Sequence, residues 1–131
     1  MMTPRTTRIV QVSTAAIAIL FGIATLFAGG RVILGSDPGY VVFQPLLIYN
    51  TAMGAAYLAA GVTIWRGIHA GRYAAGAIFL LNLLVLAGIL VIYHGGGAVA
   101  VDSLRAMTFR TVVWLILFVA ASWAARSRAT G

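Results

Sequence analysis

Gly35 to Arg66, GSDPGYVVFQPLLIYNTAMGAAYLAAGVTIWR, is the stretch whose reading decides the fold. It opens on Asp37-Pro38-Gly39, a turn signal in which Pro fixes its own φ and Gly admits a positive one. From Gly39 to Trp65 no residue carries a charge. That run of about 27 residues exceeds the roughly 20 that cross a ~30 Å hydrocarbon layer as a helix. Pro45 suits a first helical turn, where its missing N–H costs little. Trp65 and Arg66 suit the far interface, the indole at headgroup level and the guanidinium in water. Asn50, Gly54, Tyr57 and Gly61 recur at helical spacing on one face. Being polar or small, that face is expected to point at other helices.

Working outward, the whole chain has the same character. Of its 131 residues, 62% are hydrophobic and 8% charged, too little charge for the surface of a soluble domain. The net charge is +7, and all nine basic residues are arginines lying between apolar runs. No single basic patch forms, so nucleic acid is not an expected partner. There is no cysteine, which removes disulfides, thiol redox chemistry and thiolate metal sites.

Met1 to Arg8 reads as a short basic tail, and Ile9 to Ala28 as an uncharged run of 20 residues. That is longer than the ~7–15 residues of a signal-peptide core, so it reads as a first membrane helix. Gly29-Gly30-Arg31 is expected to break it. Gly67 to Arg72 reads as a tight connection containing His69. Tyr73 to Tyr93 forms a third helix, closed by His94-Gly95-Gly96-Gly97, because a glycine run does not sustain a helix. Asp102-Ser103 is an N-cap signal for a fourth helix. The uncharged part of that helix, Thr111 to Ala125, covers only about 22 Å, so the helix must start near Asp102 or Arg105 and carry Arg110 to or below the interface. The expected fold is an all-α membrane protein: a four-transmembrane-helix bundle in one integral membrane domain, residues 1–131, with helices at about 9–29, 40–66, 73–94 and 103–125.

Arg110 is the sharpest chemical signal, because a charge inside a bilayer costs a few kcal/mol and usually finds a partner. By the rise per residue, Arg110 and Asn50 each lie about 12 Å below the outer helix ends, and Asn82 about 18 Å below. These three, with Tyr49, Tyr93 and His94, are the candidate residues of an outer-leaflet polar pocket; Gln44 is also at a reachable depth. In the competing reading Arg110 snorkels to headgroups or pairs with Asp37 or Asp102, and the amides only lock helices together. His94 is either a proton handler or an interface residue. It cannot share a haem with His69, because one helix separates them. No catalytic constellation is evident, and no metal site or cofactor is expected. Asp37 and Asp102 are the only acids and lie in separate loops, and Gly95–Gly97 lacks the rest of a phosphate loop. No helix core holds a carboxylate, which argues against a proton-coupled exporter. AGGRVILGSD (residues 28–37) and HGGGAVAVDS (94–103) echo each other, either as a two-plus-two repeat or as the usual glycine and aspartate of outer loops.

In layout the chain resembles the DoxX-like group of small four-helix bacterial membrane proteins. The resemblance rests on PGYVVFQPLLIYNTAMGAAYLAAGVTIWR (residues 38–66), Arg72 opening helix 3, His94 closing it and Arg110 near the start of helix 4. The group's second helix tends to read Pro, a few apolar residues, Glu, then glycine-rich positions before a basic turn. Here the Glu position falls at Asn50, which removes the ionisable group. The resemblance implies a membrane partner of redox or sulfur-metabolising complexes. Three function classes follow: an accessory or small-molecule (quinone)-binding subunit of a membrane redox complex; an oligomeric channel or transporter for a small anion or solute; and a membrane enzyme, which lacks an acid–base pair. Expected partners are the lipid bilayer and either another membrane protein or a second copy of the chain.

Arginine counting sets the orientation. Arg5, Arg8, Arg66, Arg72, Arg126 and Arg128 fall on one side, Arg31, Arg105 and Arg110 on the other with both aspartates. That asymmetry, and basic residues that are all arginine, predict a multi-pass protein of a bacterial inner membrane with both termini cytoplasmic. Reporter fusions after Arg72 and Arg126 are expected to read cytoplasmic, and fusions within 95–101 external; a periplasmic C-terminus would refute the assignment.

Overall fold

A computed structural model describes residues 3–130, with side chains through Ser127. Met1, Met2 and Gly131, and the side chain of Arg128 expected to close the chain, lie outside the described residues. Four helices make up the fold: α1 Pro4–Ile33, α2 Gln44–Arg66, α3 Ile68–His94 and α4 Val101–Thr130. Each is long and apolar enough to cross a membrane, which suggests a multi-pass membrane protein. Consecutive helices run antiparallel. The 34–43 and 95–100 connections therefore share one end of the bundle, the loop end, while Gly67 and the outer ends of α1 and α4 form the other, the terminal end.

α2 and α3 end at Arg66 and His94 as expected, and the other helix boundaries differ from their sequence-based expectation. α1 starts at Pro4, so the basic tail is helical. Thr3 caps it, accepting from the Thr6 N–H at 3.1 Å, and Pro4 occupies the first turn. α1 also runs through Gly29-Gly30 to Ile33. The reason is tertiary: a Cβ on Gly29 would collide with the Thr51 side chain of α2, so this glycine permits close packing and does not end the helix.

α2 starts at Gln44, not residue 40. An earlier start would drive the Pro45 ring into the carbonyl of Val41, so Phe43 stays extended as N-cap and Pro45 sits in the first turn. The Asp37-Pro38-Gly39 turn forms as expected. Asp37 accepts from the Gly39 N–H at 2.8 Å, and Gly39 has φ +86°.

The α2–α3 connection shrinks to Gly67, so His69 and Arg72 belong to the first turns of α3. So short a link presses α3 onto the last turn of α2, and a Cβ on Gly71 would lie 2.5 Å from the Ile64 Cα. α3 ends at His94, where the glycines begin. In α4, Asp102 lies within the first turn instead of capping it, and Ala100 O accepts the Ser103 and Leu104 N–H groups. The helix continues past residue 125 to Thr130. The two echoed segments thus differ in structure: Gly29-Gly30 lies inside α1, and Gly95-Gly96 follows α3.

The closest pairing is α1 with α2. A Cβ on Gly22 would lie 2.8 Å from Gly54 O, one on Gly54 would lie 3.0 Å from Leu26 N, and one on Gly61 would lie 3.1 Å from Ala15 O. The Gly54–Tyr57–Gly61 face of α2 is buried, as the spacing predicts, and Asn50 is half-buried. At the centre, Tyr57 sits between Phe21 and Trp114, with ring centroids 5.3 and 5.0 Å away. Gln11 of α1, also fully buried, donates to Ile64 O at 2.8 Å and Trp65 O at 3.1 Å. It thereby satisfies two carbonyls that the end of α2 leaves open. A second cluster, Leu46, Ile89, Val99 and Met107, seals the α2–α3–α4 side at the loop end.

Because the α1–α2 contact is backbone against backbone, Gly54→Leu is expected to lower stability by about 1–3 kcal/mol through overpacking. Ala59→Leu, on the exposed face of the same helix, is expected to stay within about 0.5 kcal/mol. Thermal unfolding in detergent compares the two, and equal losses would reject this packing face.

Candidate functional site

A cavity of about 300 Å³ opens at the loop end between α1, α2 and α4. α1 lines it with Thr25, Gly29 and Arg31, α2 with Leu46 and Asn50, and α4 with Ser103, Ala106 and Arg110. The 34–43 connection folds over it and contributes Asp37, Tyr40 and Phe43. The small residues follow from the packing. Thr25 and Gly29 are one turn apart on the α1 face that meets α2. Ser103 and Ala106 precede Arg110 by two turns and one turn on a single face of α4. The short Ser103 and Ala106 side chains leave space between α4 and the closely packed α1–α2 pair.

Polar groups without partners define the chemistry of this space. Arg110 is half-buried, and its Nε is inaccessible and without a hydrogen bond. The carbonyl oxygen of Asn50 is likewise buried and unpaired. Among the described residues Arg110 makes neither a hydrogen bond nor an ion pair, so the expected alternative of pairing with Asp37 or Asp102 is not found. Asp37 lines the same cavity but spends one carboxylate oxygen on its own turn. Asp102 is exposed, outside the cavity lining. Arg31 stacks on Phe27, its Cζ 5.5 Å from the ring centre. Two arginines face one aspartate here, so the lining carries a net positive charge.

The six residues expected to form the pocket separate into three groups. Arg110 and Asn50 reach the cavity together. Asn82 and Tyr49 belong to a deeper hydrogen-bonded knot. Asn82 is fully buried, and its side-chain carbonyl accepts from the Tyr49 hydroxyl at 3.0 Å. The Tyr57 hydroxyl lies 3.4 Å from that carbonyl and 3.3 Å from the amide nitrogen of the same side chain. Tyr49, Tyr57 and Asn82 are absent from the cavity lining, although Tyr49 is the chain neighbour of Asn50, which belongs to it. Tyr93 packs on the apolar cluster of Leu46 and Met107, and His94 is exposed with its ring 5.5 Å from Tyr93. Neither lines the cavity, because that cluster stands between α3 and the α1–α2–α4 space. Gln44 is exposed at the start of α2.

Arg31, Thr25 and Ser103 line the cavity and are not among the residues the sequence singles out. For Ser103 a signal exists, since it precedes Arg110 by seven residues, two helical turns. For Thr25 and Arg31 none does, because nothing in α1 itself says which face meets α4.

What the site can do follows from its donors. A guanidinium presents a fork of N–H donors and no acceptor, and it suits a planar carboxylate, a phosphate or a carbonyl oxygen. The volume is at the lower end of small-molecule sites. No protein-family model matches the chain, and neither a curated protein nor a solved structure matches it.

The knot is expected to behave as structure. Asn82→Leu strands the buried Tyr57 hydroxyl and the half-buried Tyr49 hydroxyl and should cost about 1–3 kcal/mol, whereas Tyr49→Phe removes one neutral bond and should cost about 0.5–1.5 kcal/mol. Denaturant titration in detergent ranks the pair, and a larger loss for Tyr49→Phe would contradict the arrangement.

Proposed function

We propose that this is a small-molecule-binding membrane protein. Its loop-end cavity holds an acceptor-rich ligand, a quinone head or a small anionic group, and it serves as an accessory subunit of a membrane redox complex in the manner of the DoxX-like group it resembles. In this reading the cavity faces the outer leaflet of a bacterial inner membrane and the termini are cytoplasmic. The observation that carries the proposal is the pair of unsatisfied groups, Arg110 and Asn50, on one cavity. A buried polar group left unpaired costs about 1–3 kcal/mol, more when charged, and a ligand with acceptor and donor atoms removes that cost on binding. The ligand's carbonyl or anionic oxygen accepts from the Arg110 guanidinium. A ligand hydroxyl or protonated group donates to the Asn50 carbonyl. Leu46, Leu47 and Phe43 supply the apolar contact that a ring requires.

The alternative, an oligomeric channel or transporter for a small anion, would need a polar lane through the rest of the bundle. Tyr57 and Trp114 fill the centre of this protomer, and Ala18, Ile64, Leu117 and Ala121 pack in the same core. Those contacts favour a closed site over a path.

Purification in mild detergent, organic extraction and quinone titration by intrinsic fluorescence test the proposal. Arg110→Leu removes a charge-assisted bond of about 1.5–3 kcal/mol and should weaken binding roughly ten- to hundredfold while leaving insertion intact. Arg110→Lys keeps the charge but loses the planar fork, so it should weaken binding more than Arg105→Lys does. Unchanged retention in Arg110→Leu would refute the proposal.

A further inference from the structure

The terminal end of the bundle has a different chemistry from the cavity. Arg5, Arg8, Arg66, Arg72 and Arg126 lie there, and both aspartates of the chain lie at the loop end. α2 alone separates the two ends by 23 residues, about 34 Å of helix. The screening length at physiological salt is about 8 Å, so Asp37 and Asp102 cannot neutralise the arginines of the terminal end. For Arg8 and Arg66, the two that line a groove, the counter-charge comes from outside the acidic side chains of this chain.

Two of these arginines share one groove. Arg8 of α1 and Arg66 of α2 line an open groove of about 530 Å³ together with Val62 and Trp65. Both arginines are exposed, and among the described residues neither has a hydrogen bond or an ion pair. The groove is built, because Gln11, one turn beyond Arg8, ties α1 to the Ile64 and Trp65 carbonyls. That tie sets the first turns of α1 against the last turn of α2, so that Arg8 and Arg66 line the same groove.

Val62 is 41% exposed and Trp65 54%, so the groove pairs its cationic rim with apolar walls. A free inorganic anion would use the arginines and leave Val62 and Trp65 in water. A ligand with a phosphate at one end and hydrocarbon at the other uses both. Basic pockets between membrane helices take anionic lipid headgroups for this reason, and Trp favours the headgroup level.

We propose that the Arg8–Arg66 groove is a binding site for an anionic phospholipid. The phosphate sits between the two guanidiniums, and the acyl chains run along Val62 and Trp65 towards the apolar flank of α1. The site is separate from the loop-end cavity, and its lipid binding is independent of what that cavity binds.

The test uses the full-length protein reconstituted in nanodiscs of phosphatidylcholine with a minor fraction of phosphatidylglycerol. It is then extracted in detergent, and retained lipid is counted by native mass spectrometry. Wild type is expected to retain phosphatidylglycerol at least tenfold more often than phosphatidylcholine, the retention falling as salt is raised. The Arg8→Gln/Arg66→Gln variant is expected to lose that preference by an order of magnitude or more, while Arg105→Gln, at the other end, keeps it. Unfolding curves for all three proteins confirm that the substituted chains remain folded. Equal retention of the two lipids by wild type, or an unchanged preference in the double variant, overturns the proposal. A titration with inorganic phosphate distinguishes the sources of the anion. Displacement of the lipid by low-millimolar phosphate would make the ligand a free phosphate and overturn the lipid assignment; retention of the lipid supports it.

Discussion

The backbone approach of α1 to α2 is the contact on which the rest of this structure depends. Inside a membrane apolar helices gain little by hiding from lipid, so association rests on close packing. Gly22 against Gly54, and Gly61 against Ala15, let the two backbones come near enough for that packing to be extensive. The rotation of α2 is thereby fixed. Tyr57 must point across the bundle into the space between Phe21 and Trp114, and α4 is brought in to cover it. The cavity is a consequence as well. α1 and α2 meet at its edge through Gly29 and Thr51, and α4 passes with only Ser103 and Ala106 above Arg110, so the space there is left open.

The two ends of the bundle differ in how their polar groups are satisfied. In the interior many demands are met within the chain: Asn82 takes the Tyr49 and Tyr57 hydroxyls, and Gln11 gives its amide N–H groups to two carbonyls of α2, while the Gln11 Oε1 and the Trp114 indole N–H stay unpaired. At the loop end Arg110 and the Asn50 carbonyl are brought to one cavity and left open. At the terminal end arginines stand without an acidic side chain near them. Two polar groups left unpaired in one cavity are what the proposed ligand would satisfy, and the arginines of the Arg8–Arg66 groove are what the proposed lipid would satisfy.

Helix ends show where local rules held and where packing overrode them. Pro45 and the glycines after His94 act as local chemistry requires, since ring sterics and backbone entropy need no partner. Gly29-Gly30 carries the same local signal as Gly95-Gly96 yet lies inside a helix, where Gly29 packs on Thr51 with no room for a Cβ and Gly30 faces open space. The Thr3-Pro4 cap was legible but lay outside the apolar run that marks a span.

By itself the sequence determined the class of fold: uncharged runs of membrane-spanning length, punctuated by glycine, proline and arginine, admit little but an apolar helical bundle. It also determined axial depth, because each residue advances a helix by a fixed rise. Arg110 and Asn50, matched in depth, do share a cavity. Azimuth was decided only by tertiary structure. Tyr49 and Asn50 are adjacent in sequence and about 100° apart around α2; one turns to Asn82 of α3 and the other to the space beside α1 and α4. Which neighbour each face meets is set by how the glycine seam seats α2 on α1, a relation between two helices that the periodicity of either one does not contain.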